Sequence, residues 1–208
     1  MIIRSDELME GLSVSRETME RLKNLVTLVE KWNPTINLIA KSTTGDVWAR
    51  HILDSAQLYL LAPEAATQWV DLGSGGGFPG LVISCIAAEK RPQMNVTLVE
   101  ADQRKATFLR QAGMSLGLNL RVVVARIESV EPLNAEIISA RALAPLDILL
   151  GFTSRHMAAD GLALLQKGAN YAAEITAARK NWSMSLEAVA SKTEPNAAIL
   201  VVKALSHV

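Results

Sequence analysis

Between Trp69 and Gly80 the chain reads Trp69-Val70-Asp71-Leu72-Gly73-Ser74-Gly75-Gly76-Gly77-Phe78-Pro79-Gly80. A short buried strand runs into a glycine run, and Pro79 then opens a helix at a favoured first-turn position. Glycines at such a turn tolerate positive φ and let a ligand approach the backbone. The helix start beyond them adds oriented N–H groups. The rest of the chain repeats this strand–helix grammar. Val96–Val99, Leu120–Val124, Ala135–Ser139 and Leu162–Leu165 read as further strands. Asp102 caps a helix that Gly117 stops, and another helix follows Pro145. The tail gives one more helix and two extended stretches near 184–190 and 197–204. This alternation predicts an α/β, Rossmann-like fold with a mostly parallel, doubly wound sheet. Ligands in such sheets bind at the carboxyl ends of the strands, where the strand order reverses.

Residues 1–67 read differently. Met19, Leu22, Leu25, Val26 and Val29 recur at helical spacing after Ser15, a fitting N-cap. Asn33-Pro34 is expected to end that helix, and a second is expected from about Asp46 to Leu61, before Pro63. We therefore expect a helical extension, 1–67, packed on a core domain, 68–208, the two able to act as one domain.

Lys plus Arg and Asp plus Glu both number 21, which excludes a strongly basic nucleic-acid coat but not a local basic site. No run of 18 apolar residues spans a membrane, and Met1–Leu12 lacks the pattern of a signal peptide. A single cysteine, Cys85, suits a reducing cytoplasm, and it lies in an apolar helix as plain core. His51, His156 and His207 are scattered, so no metal site is expected.

Two cofactors compete for the glycine turn. Gly75-x-Gly77-x-x-Gly80 fits the dinucleotide fingerprint, a weak signal alone. S-adenosylmethionine is favoured by Asp71, two residues before Gly73, whose carboxylate can meet the ammonium of a methionine moiety. It is favoured also by the acid-x-Gly-x-Gly form through Gly73 and Gly75, and by a chain short for a dehydrogenase. Glu100, closing the second strand, is placed to grip the hydroxyls of an adenosine ribose.

Together with Lys31-Trp32-Asn33, Asn37-Leu38, His51-Ile52-Leu53-Asp54-Ser55, Leu98-Val99-Glu100, Arg104-Lys105, Phe108-Leu109, Arg126-Ile127-Glu128, Ser139-Ala140-Arg141-Ala142 and Lys167-Gly168, the glycine segment closely resembles the bacterial small-subunit ribosomal RNA guanine-N7 methyltransferases. These are also called the glucose-inhibited division protein B family. The resemblance covers nearly the whole chain. It implies methyl transfer from S-adenosylmethionine to N7 of one guanine in 16S ribosomal RNA, with the small ribosomal subunit as partner and no obligate protein partner. It carries donor contacts over to Gly73, Phe78, Ile127, Glu128 and Arg141. Arg141 is matched to the family arginine, which leaves Ser139 without a role.

Guanine N7 exposes a lone pair and loses no proton on methylation, so the task is alignment rather than base catalysis. Ser139-Ala140-Arg141-Ala142 stands where amino-methylating enzymes carry an Asp/Asn-Pro-Pro-aromatic element. Arg141 could hold the methionine carboxylate or the guanine edge, and Lys167 and Arg126 an RNA phosphate. His51 and Asp54 share a helix face and are expected to bond locally. Arg104, Lys105 and Arg110 form either a phosphate-facing patch or a solvated helix face. Two rivals remain open at this point: methylation of another RNA, a protein or a small molecule, and a donor-binding ribosomal regulator that transfers nothing.

Overall fold

The structure, a computed structural model, describes residues 7–208. The first six residues of the expected extension, and with them half of the Met1–Leu12 segment on which the leader reading rests, lie outside that range. A small antiparallel pair, β1 (Glu7–Met9) and β2 (Leu12–Ser13), leads into the long helix α1 (Arg16–Ile36). Ser15 caps α1 as expected, its Oγ accepting from the Thr18 N–H at 3.1 Å. The helix does not stop at Asn33-Pro34. It carries Pro34 inside it and ends at Asn37 in the left-handed conformation, φ 51°. The proline removes only the N–H that would reach the carbonyl of Glu30, an exposed residue where water can substitute. Asn33 serves the exit instead, its Oδ1 accepting from the Ile39 N–H at 2.9 Å.

The second expected helix, from about Asp46 to Leu61, is two pieces, a π-helical turn over Trp48–Leu53 and α2 (Asp54–Leu61), and a 3-10 turn over Lys41–Asp46 precedes it. There follow β3 (Gln68–Leu72), α3 (Gly80–Lys90), β4 (Asn95–Glu100), α4 (Gln103–Ser115) and β5 (Leu120–Val124). The second half gives β6 (Ala135–Arg141), α5 (Leu146–His156), β7 (Met157–Lys167), α6 (Tyr171–Ala178), β8 (Trp182–Ala190) and β9 (Ala198–His207). α3 begins at Gly80 with Pro79 at its cap, one residue later than the sequence suggests.

The seven-stranded sheet runs in the order β5-β4-β3-β6-β7-β9-β8. All pairs are parallel except those made by β9, which enters antiparallel between β7 and β8. Strand order reverses between β3 and β6, placing the glycine turn and Arg141 side by side at the strand ends. Alternating residues feed opposite faces. Trp69, Leu98, Ile137 and Leu164 pack under α1–α4, and Val70, Leu72, Ile138 and Leu165 under α5 and α6. The aliphatic stripe of α1 and the buried face of α2 share one cluster with α3, including Cys85, whose thiol burial pushes up to about 12. Trp32 packs on Phe108, ring centres 5.8 Å apart. The segment after α1 also crosses the glycine turn: a Cβ on Gly76 would lie 2.6 Å from the Leu38 carbonyl oxygen.

Candidate active site

β3 and β6 lie in parallel register with Asp71 opposite Ser139, and both are fully buried. The Trp69 indole N–H donates to Ser139 Oγ at 2.9 Å, and Ser139 donates onward to Asp71 Oδ1 at 2.7 Å. The other carboxylate oxygen accepts from the Gly80 N–H at 3.2 Å, at the first turn of α3. Asp71 therefore sits beneath the glycine turn and ties its two ends, rather than lining the cleft where a ligand ammonium would lie. Burial pushes it up to about 6, and the hydrogen bonds from Ser139, Ser74 and Gly80 pull the other way. Ser139, which the sequence left without a role, is the link between β6 and this carboxylate.

Gly80 is glycine for a steric reason. A Cβ there would lie 2.8 Å from Asp71 Oδ2 and run into the Leu98 side chain. Gly80→Ala is expected to lower stability by about 1–3 kcal/mol, the usual cost of overpacking, read as a drop in the urea midpoint. An unchanged midpoint would show that the turn yields freely.

Above the turn is a cleft of about 520 Å3. Gly73, Gly75, Phe78, Glu100, Ile127, Glu128 and Arg141 all line it, as do Lys105 and Arg126. Glu100 closes β4 and orders the turn: Oε2 accepts from the Gly75 N–H and Oε1 from the Asp102 N–H, both at 2.7 Å. Ile127 is held from behind by the end of α5. His156 Nε2 lies 3.0 Å from its carbonyl, and Arg155 donates twice to the Val130 carbonyl. Of the expected basic patch, Arg104 pairs with its own helix cap, Asp102, at 3.1 Å, leaving Lys105 at the cleft.

Arg141 forms the wall between this cleft and a second cavity of about 590 Å3. Its guanidinium bonds Asp54 Oδ2 and the Arg50 carbonyl, each at 3.2 Å, and His51 Nδ1 at 2.8 Å. Phe78 lies 5.3 Å beneath it and stacks on His51, ring centres 4.9 Å apart. His51 and Asp54 thus meet through Arg141. Because Nδ1 accepts from an arginine, the ring is neutral with its proton on Nε2, directed at Thr43 Oγ1 2.9 Å away. Asp54 also accepts from Gln166 at 2.8 Å, Thr193 at 2.8 Å and Gln57 at 2.9 Å, so one carboxylate joins α2, β6, β7 and the β8–β9 turn. Gln166 and Thr193 were not singled out from the sequence; no local pattern marks them, because they matter only through the fold. Lys167 faces the second cavity, where its ammonium pairs with Glu174 at 2.6 Å and donates to the Ala144 carbonyl at 3.0 Å.

Burial, reinforced by the Arg141 charge, pushes His51 down to about 4 from 6.5. A base so depressed contributes stability that is full above 6.5 and lost as pH falls toward 4. Asp71, raised from 3.8 to about 6, works in the opposite sense, its contribution being lost as pH rises through 6. The two largely offset across this window. His51→Gln is expected to remove the imidazole's contribution alone, so that wild-type stability gains on the variant by about one proton's slope between pH 4 and 6.5. Urea midpoints at a series of pH values measure this; parallel profiles would rule it out.

A family model described as rRNA small subunit methyltransferase G matches residues 18–199. A "Ribosomal RNA small subunit methyltransferase G" of Cereibacter sphaeroides is 53% identical over 199 residues, covering 96% of each chain. The protein of that name from Ruegeria pomeroyi is 50% identical over 197 residues, covering 95% of this chain and 96% of its own. Among solved structures, a Geobacter sulfurreducens methyltransferase superposes with a TM-score of 0.58 at 14% identity, covering 93% of both chains. Aeropyrum pernix fibrillarin, crystallised with S-adenosylmethionine, does so at 0.55 and 16% identity, covering 74% of this chain and 75% of that one. These two likenesses bear on the fold.

Proposed function

The chain belongs to the rRNA small subunit methyltransferase G family, and from that premise we propose that it transfers a methyl group from S-adenosylmethionine to N7 of a guanine in 16S ribosomal RNA, in the cytoplasm where small subunits are made. The observation that carries the reading is the cleft over the glycine turn, walled at one end by Glu100 and at the other by Arg141. Its volume, about 520 Å3, lies within the roughly 300–1,000 Å3 of small-molecule sites. Its chemistry fits a zwitterionic nucleoside: carboxylates on Glu100 and Glu128, and a guanidinium on Arg141 for a carboxylate.

When bound, S-adenosylmethionine supplies a sulfonium-borne methyl that a lone pair in line with its carbon–sulfur bond can displace. Guanine N7 brings that lone pair; the N7–carbon bond forms as the sulfur–carbon bond breaks, sulfur keeps the electron pair, and no proton leaves. The protein's part is positioning. Glu100 fixes the glycine turn through Gly75, and Asp71 fixes it from below through Gly80. Phe78 and His51 hold the Arg141 fork flat between the two cavities. The neutral His51 accepts from Arg141, and Asp71 is shut away beneath the turn, so neither of these two groups is placed to take a proton from an acceptor. This favours an acceptor that needs no base. The described part of the extension, residues 7–67, acts here as a layer that lends His51 and Asp54 to the domain formed by 68–208. Lys167 sets the Ala144–Leu146 turn beside the site, with Glu174 taking the Leu146 N–H.

Labelled donor and purified small subunits from cells lacking the protein test this. The expected result is one labelled 7-methylguanine in 16S ribosomal RNA. Label on protein, on another base or nowhere would overturn it.

A further inference from the structure

The second cavity shares Leu38, Arg141 and Ala142 with the donor cleft and opens on the far side of the Arg141 wall. Three carboxylates line it: Asp54, Glu174 and Glu194. Two are committed. Asp54 accepts from four side chains, and Glu174 holds Lys167 and the Leu146 N–H. Glu194 pairs with Arg50, and the two side chains are 38% and 45% exposed. An ion pair so open to water is weak, and either partner exchanges easily for a ligand group. Glu194 stands in the turn between β8 and β9. Thr193 bonds that turn to Asp54, and Asp54 bonds Arg141. An acceptor-only carboxylate is thereby held at a set distance from the guanidinium wall.

Guanine has two unlike edges. N7 and O6 accept hydrogen bonds; N1–H and the 2-amino group, on the opposite edge, donate them. With N7 turned to the donor cleft, the donating edge points away from Arg141 into the second cavity. A carboxylate accepts two adjacent donors at once. Resting on the function proposed above, we propose that this cavity seats the acceptor guanine and that Glu194 selects it, accepting from N1–H and the 2-amino group while Arg50 turns from Glu194 to an RNA phosphate.

Single-turnover methylation of small subunits carrying either guanosine or inosine at the target position tests the assignment, since inosine keeps N7, O6 and N1–H and lacks only the 2-amino group. Wild type is expected to be about tenfold or more slower on inosine. Glu194→Gln is expected to be about ten- to a hundredfold slower than wild type on guanosine and to treat the two bases nearly alike. Arg50→Ala is expected to weaken subunit binding and flatten its salt dependence while keeping the preference for guanosine. Neither Arg50 nor Glu194 lines the donor cleft, so calorimetric donor binding should stay at wild-type strength in both variants and report that they are folded. An inosine penalty in Glu194→Gln equal to that of wild type, or no penalty in wild type, overturns the assignment while leaving N7 transfer standing. No transfer to either base by wild type removes both readings.

Discussion

Arg141→Ala is expected to lower methyl transfer to small subunits by about a hundredfold or more, the scale seen when a preorganised donor is removed from a reacting centre. Three features of the site set that size. The side chain is largely buried, so water replaces it poorly. Its fork bonds Asp54, His51 and the Arg50 carbonyl at once, and it lies over Phe78. It is also the wall shared by both cavities, so its loss merges them and leaves donor and acceptor free to shift. Arg141→Lys keeps the charge and loses the planar fork, and is expected to recover only a small part of the rate. Asp54 keeps three other side-chain donors, so the alanine variant should still fold, visible as a cooperative urea transition. Near-wild-type transfer by either variant would take Arg141 out of the reaction.

Asp71→Ala is expected to lose stability and donor affinity together. Removing the carboxylate strands the Ser139 hydroxyl and the Gly80 N–H in a fully buried site, at about 1–3 kcal/mol for each buried group left unpaired. It also frees the first turn of α3 from the end of β3. A residue touching the ligand directly would behave otherwise, with affinity falling at constant stability. Calorimetry and urea denaturation on the same sample separate the two. Ser139→Ala provides a milder version: it removes the donor to Asp71 Oδ1 and leaves the Trp69 indole N–H without its acceptor. A variant Asp71→Ala that unfolds as wild type does would restore the direct contact expected from sequence.

The case of Asp71 shows where sequence reasoning stops. Acid-x-Gly-x-Gly after a strand identifies the turn, because glycine content and strand–helix alternation are local properties. What the acid bonds depends on the strands that flank β3, and the one that brings its side-chain partner is β6, some seventy residues on. Ser139 had no legible role for the same reason: its partners, Trp69 and Asp71, are neighbours only through parallel register. The place of Glu100 was legible because it ends its own strand beside the turn, but its bonds to the Gly75 and Asp102 N–H groups were not, since sequence offers it only as a ribose contact. His51 and Asp54 were visible as a pair on one helical face, but their shared partner Arg141 comes from the opposite half of the chain. Lys167 reads from sequence as a contact for an RNA phosphate; in the structure Glu174, on the following helix, pairs with its ammonium. Pro34 misled the reading of α1 because a proline near an exposed helix end removes a hydrogen bond that water replaces.

The Leu38 segment lies across Gly76 so closely that no side chain fits between them. The ceiling of the cleft is therefore laid by a segment outside the parallel sheet, and its floor by the turn that leaves β3. The sheet transplanted alone into another scaffold would bring a ledge with nothing overhead, open to water where the chemistry needs enclosure.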